Sequence, residues 1–65
     1  YGELILEALE SELHWTLYNV LGQEVTSWDS ELKGVITRQV SGPVAGMHFL
    51  VAETGMLRQV RRVML

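Results

Sequence analysis

Leu13-His14-Trp15-Thr16-Leu17-Tyr18-Asn19-Val20, then Leu21-Gly22-Gln23, then Glu24-Val25-Thr26-Ser27-Trp28-Asp29-Ser30, is the stretch whose reading decides the fold. In its first part Leu13, Trp15 and Leu17 share one parity, and His14, Thr16 and Tyr18 share the other. A strand turns successive side chains to opposite faces, so this alternation predicts a strand over Leu13 to Val20. Gly22 can take the positive φ that a tight hairpin turn requires. A second strand, Glu24 to Ser30, then returns antiparallel to the first.

Beyond the hairpin, turn signals recur at Lys33-Gly34, Ser41-Gly42-Pro43, Ala45-Gly46 and Thr54-Gly55. Gly34 to Val40 alternates and reads as a strand. Pro43 has no amide to give a ladder, so the chain leaves the sheet there. Met47 to Glu53 is apolar on both parities, which suits a central strand. Leu57 to Leu65 alternates imperfectly: Leu57, Val63 and Leu65 share a parity with Gln59 and Arg61, while Val60 and Met64 share the other with Arg58 and Arg62. That pattern predicts a bulge or a half-exposed edge. Before the hairpin, Leu4, Leu6 and Ala8 oppose Glu3, Ile5 and Glu7, followed by an acidic connection from Leu9 to Glu12. Leu and Glu are good helix formers, but the period of two and the strands that follow favour a strand. Short apolar runs at a spacing of about ten residues point to an all-β sandwich or barrel.

The 65 residues make one domain, 1–65, or a piece of one. A chain this short buries only roughly 60% of its unfolded surface. It has no cysteine to staple it, so a neighbouring domain or a partner is expected to add stability. With 48% hydrophobic and 20% charged residues, it is not a disordered segment. No run approaches the ~20 apolar residues of a membrane helix. The start lacks a basic-then-apolar pattern, so it is not a signal peptide; it reads as the trimmed end of a longer protein.

The net charge of −3 hides an asymmetry. Residues 1–31 carry seven of the eight acidic groups and no Lys or Arg, and residues 32–65 carry all five basic groups. One reading pairs the two halves across strands. The other makes Arg58, Arg61 and Arg62 a basic edge that meets a partner. Nucleic acid is disfavoured as that partner, since total charge is negative and basic and aromatic residues do not interleave.

Catalytic signals are weak. His14 and His48 are the only imidazoles, and Ser11, Ser27, Ser30 and Ser41 sit in no nucleophile elbow. No enzyme activity and no small-molecule substrate is expected. Asp29 is the only Asp and Asn19 the only Asn, too few oxygen ligands for a calcium loop. No metal or other cofactor is therefore expected. Glu3, Glu7, Glu10 and Glu12 read as a solvated acidic edge that discourages strand-to-strand aggregation. Trp15, Tyr18, Trp28 and Phe49 read as core; two of them turned outward would instead offer a platform for carbohydrate.

Three segments in series carry a family resemblance. Leu17-Tyr18-Asn19-Val20-Leu21-Gly22-Gln23-Glu24-Val25 resembles the signature hairpin of the C-terminal sorting domains of the type IX secretion system of Bacteroidetes-like bacteria. Gly42-Pro43-Val44-Ala45-Gly46-Met47-His48-Phe49-Leu50-Val51 resembles the family's proline-alanine-glycine block and the strand after it. Glu53-Thr54-Gly55, followed by Arg61-Arg62-Val63-Met64-Leu65, resembles its glutamate-threonine-glycine turn and terminal basic-then-aliphatic strand. Order and spacing match over residues 15–65. The departures are His48 in place of the usual Tyr, Val51 in place of a basic residue, a displaced Pro43-Val44, and no proline-asparagine-proline opening.

The resemblance implies a seven-stranded immunoglobulin-like antiparallel β-sandwich, of which six runs are visible here. It implies a signature set of Tyr18, Asn19, Gly22, Val25, Pro43, Gly46, Phe49, Leu50, Glu53, Gly55, Arg61, Arg62, Val63 and Leu65. Gly22 and Gly55 would permit hairpin turns, and Pro43 and Gly46 would set the corner before the central strand. The implied role is to bring an upstream cargo domain to the outer-membrane translocon and its shuttle. A sortase-like protease then removes the module, and the cargo is released or anchored at the cell surface. Its implied places are the periplasm in transit, then the cell surface or the medium. Open strand edges also leave room for a homodimer. The alternative is an accessory immunoglobulin-like sandwich of a secreted enzyme, binding carbohydrate or spacing domains.

Overall fold

Period-two alternation becomes six antiparallel strands of seven residues each. The computed structural model describes residues 2–40 and 45–65. Its strands are β1 (Gly2–Ala8), β2 (Leu13–Asn19), β3 (Glu24–Ser30), β4 (Gly34–Val40), β5 (Met47–Glu53) and β6 (Arg58–Met64). β1 and β4 form a two-stranded sheet, and the other four form a sheet in the order β3-β2-β5-β6. β5 is central, as its two apolar faces predict, with β2 on one side and β6 on the other.

The two sheets pack face to face, a sandwich-like all-β arrangement. Leu4, Leu6 and Ala8 of β1 and Val40 of β4 meet Leu13, Trp15 and Leu17 of β2 and Leu50 and Ala52 of β5. These are the parities read from the sequence for β1 and β2. Leu17 and Leu50 are paired neighbours at the centre, 0% and 2% exposed. Each such buried side chain contributes about 2 kcal/mol relative to leaving it in water.

The upper layer has two strands over four, and it sits off centre. β4 lies over β3, where the Arg38 guanidinium stands 5.1 Å from the centre of the Trp28 ring. On the other side, Glu7, Leu9 and Glu10 share an open cleft of about 240 Å³ with Trp15, Ala52, Arg58 and Gln59. No strand covers β6, and six of its seven residues are exposed.

This offset explains the imperfect parity of the last strand. Gln59 and Arg61 lie on its inner parity because nothing packs on them there. β6 keeps an unbroken register with β5. The bulge falls elsewhere: Leu17 pairs with Thr26 and Tyr18 with Glu24, leaving Val25 as the extra residue of β3. β2 also stops at Asn19 and does not reach Val20.

Gly22 has the expected positive φ of 81°, and Gly46 has φ 106° where β5 begins. Gly55 is not in this region. The β5–β6 turn is closed by Thr54 instead: its Oγ1 accepts from the amides of Met56 and Leu57 at 3.2 and 3.0 Å, and its own amide donates to the Leu57 carbonyl at 2.8 Å. The corner expected of Pro43 lies outside the described residues.

Candidate functional site

The β2–β3 turn is organised by one side chain. Asn19 Oδ1 accepts from the amides of Leu21 and Gln23, each at 3.0 Å, and Asn19 Nδ2 donates to Gln23 Oε1 at 2.9 Å. A short amide side chain that bonds the backbone two residues on is the mechanism of an Asx turn. Gly22 donates to the Asn19 carbonyl at 3.0 Å. The resemblance singled out Asn19 and Gly22, and both build this turn.

Sheet register gathers the rest of the signature. Tyr18 pairs with Glu24 on one side and Phe49 on the other, and Phe49 pairs with Arg62. This row, Glu24–Tyr18–Phe49–Arg62, runs across the outer face of the four-stranded sheet. The next row, Leu17–Leu50–Arg61, faces the opposite layer, and Asn19–His48–Val63 follows it. Gly46 and Leu65 close the same end by exchanging two backbone bonds of 3.0 and 2.9 Å. His48 is buried there, its Nδ1–H donating to the Gly46 carbonyl at 3.1 Å. Val25 packs against the core. Glu53 and Gly55 stand apart, at the opposite end of β5. Pro43 is not described.

Four residues at the gathered end were not singled out in the sequence. Val20 and Leu21 at the hairpin tip are 58% and 79% exposed, and Met47 and Met64, paired across β5 and β6, are 38% and 73% exposed. Apolar residues at a turn tip run against ordinary turn chemistry. Val20-Leu21 beside Gly22 is the signal that could have pointed to them. The opposite turn exposes Met56 and Leu57 as well, so apolar side chains stand in water at both ends of the four-stranded sheet.

The charge asymmetry survives folding unpaired. Among the described residues no lysine or arginine forms a salt bridge; the one contact of this kind is His14 Nδ1 to Asp29 Oδ1 at 2.7 Å, on the outer face. Arg58, Arg61 and Arg62 project from an edge strand that has no acidic residue.

The indoles do not form a platform. Trp15 is buried, and its ring stacks on that of half-buried Trp28 with centroids 6.2 Å apart and planes at 8°. Trp15 Nε1–H donates to Ser30 Oγ at 2.9 Å, while Trp28 Nε1–H is buried with no acceptor. Among the described residues no three His, Asp or Glu side chains converge as metal ligands would. The surface offers edge backbone, arginine charge and exposed apolar side chains, groups that can hold a protein segment. No family model, no curated protein and no solved structure matches the chain.

Proposed function

We propose that this chain is a secretion signal module of the type IX kind, an immunoglobulin-like sandwich that directs a cargo domain to the outer-membrane translocon. The observation that carries this reading is a convergence. The hairpin segment is separated in sequence from the segments of β5 and β6 by the whole of β4, yet Tyr18 and Asn19 of β2, His48, Phe49 and Leu50 of β5, and Arg61, Arg62 and Val63 of β6 meet in adjacent rows at one end of one sheet, with Glu53 and Gly55 at the other end. A recognition signal needs such an assembled surface; a set of turn-formers alone does not.

Recognition uses the exposed end formed by Val20, Leu21, Met47 and Met64 together with the free edge of β6. An edge strand offers its unpaired backbone to an added strand, and the side chains beside it select the partner. After transport a sortase-like protease removes the module, and the cargo is released or anchored at the surface. The module itself is a ligand for the machinery.

A transport assay tests this. Residues 1–65 are fused behind a periplasm-directed fluorescent protein in a bacterium with a working type IX system. The reporter should reach the surface or the medium, and should stay in the periplasm of a translocon mutant. Deleting Val63–Leu65 should retain it while the reporter still fluoresces. Periplasmic retention of the intact fusion in both strains, or normal export of the deletion, sinks the proposal.

A further inference from the structure

Among the described residues the two sheets each leave an edge free, β1 and β6, on the same side of the molecule. Glu7 at the end of β1 and Arg58 at the start of β6 line one cleft. β1 reverses into β2 through residues 9–12, β2 is antiparallel to β5, and β5 to β6. β1 therefore runs opposite to β6.

Their backbone groups are available. In an antiparallel pair, alternate residues aim both amide and carbonyl at the same neighbour. Gly46 and Leu65 bond to each other, and Thr54 bonds to Leu57. Counting in twos along the β5·β6 register, Gln59, Arg61 and Val63 face β5. Arg58, Val60, Arg62 and Met64 therefore aim their backbone groups at the open edge. Chirality ties backbone direction to side-chain direction and chain sense, so on β1 the residues with outward side chains, Glu3, Ile5 and Glu7, face the open edge.

The two edges are complementary in charge and in spacing. One reads acidic–x–apolar–x–acidic over Glu3, Ile5 and Glu7; the other reads basic–x–apolar–x–basic over Arg58, Val60 and Arg62. All six side chains are exposed, and Ile5 and Val60 are 70% and 54% exposed. Pairing like edges is opposed: antiparallel β1 on β1 sets Glu3 against Glu7, and β6 on β6 sets Arg58 against Arg62, and like charges directly opposite destabilise a pair.

We propose that two copies of this chain form a closed dimer in which β1 of each adds to β6 of the other. A two-fold axis parallel to the strands, placed on the open side, exchanges the layers and makes both contacts at once. It preserves position along the strands, so Glu7 meets Arg58, Ile5 meets Val60 and Glu3 meets Arg62 of the second copy. The two-stranded sheet of each copy continues the four-stranded sheet of its partner, all four open edges on that side disappear, and the partner's strands come to lie over the inward Gln59 and Arg61 of β6. An isologous contact of this kind closes on itself and does not propagate into fibres. The inference stands on the edges alone and does not depend on the secretion reading; the dimer occupies the β6 edge that reading gives to the translocon, so the two contacts exclude one another.

Sedimentation velocity over a concentration series tests it. The chain should pass from 7.4 kDa to twice that mass, and high salt should weaken the dimer. Glu3→Arg with Glu7→Arg should raise the dissociation constant by about a hundredfold or more, as should Arg58→Glu with Arg62→Glu, because each places like charges opposite at both contacts. Mixing the two variants should restore a dimer, since each then carries two edges of one sign. Hydrogen exchange on the unaltered chain supplies a readout independent of the variants. The amides of Glu3, Ile5, Glu7, Val60 and Arg62 should gain protection as concentration rises. A chain that stays at 7.4 kDa throughout, or variants that dimerise alone but not when mixed, overturns the proposal and leaves these edges to strands of other proteins.

Discussion

β3 and β6 are both edge strands of one sheet, yet they live in different surroundings. β3 has β4 above it: Trp28 lies between the Trp15 ring and the Arg38 guanidinium, and four of its seven residues are half-buried. Among the described residues no strand lies above β6, and Val63 is its one half-buried residue. β3 is held by two layers, β6 by a ladder to β5 alone. One edge is structural, and the other is free to meet something else. Both are blunted by charge on their outer faces, which is how natural sheets avoid indiscriminate pairing.

Substitutions can break or sharpen this contrast. Leu17→Ala should have the largest effect, about 3 kcal/mol or more in urea unfolding, because Leu17 is 0% exposed and lies in the floor on which both sides rest. Trp28→Ala should cost about 2 kcal/mol, since it strips the closed edge of its stacked ring. Trp28→Phe should cost less than about 1 kcal/mol, because it keeps a stacked ring and removes a buried donor that has no acceptor. A loss equal to that of Trp28→Ala would show that contacts specific to the indole, not ring packing, hold this edge. Asn19→Ala should cost about 1 kcal/mol by freeing the turn amides of Leu21 and Gln23, with slower hairpin formation in refolding kinetics. Val60→Ala, on the open edge, should change stability by less than about 0.5 kcal/mol in dilute solution. A large loss there would mean that β6 is covered after all.

Strand positions were legible because parity is local: Leu13, Trp15 and Leu17 declare the buried face of β2 without reference to any partner. Partners were not legible. Leu6 pairs with Ile36 across two intervening strands, and no neighbouring residue signals that choice. The expectation of a bulge in β6 arose from Gln59 and Arg61, whose inward parity makes sense only once the second layer is known to stop short. The Val25 bulge leaves no mark, because Glu24-Val25-Thr26 also reads as ordinary alternation. The turn at Thr54-Gly55 falls where expected, but Gly55 takes no positive φ and the Thr54 hydroxyl closes it. The apolar end was legible only in part: Val20 read as the end of a strand and Leu21 as the start of a turn, while the pairing of β5 with β6 is what sets Met47 beside Met64.

The long separation between β1 and β4 also governs the order of assembly. β2 with β3, and β5 with β6, are joined by short turns, and hairpins of that kind form within about 1–10 μs. β1 has to wait for β4, with a whole hairpin of chain between them, and closing that distance has an entropic cost before any contact rewards it. Joining the two hairpins through β2 and β5 is equally non-local, as Leu17 with Leu50 against Leu6 with Ile36 shows, so both long-range pairings follow the hairpins. Until both have formed, the inner faces of the hairpins, Leu17 and Leu50 among them, stand in water, and transiently exposed apolar surface of that kind is what aggregates.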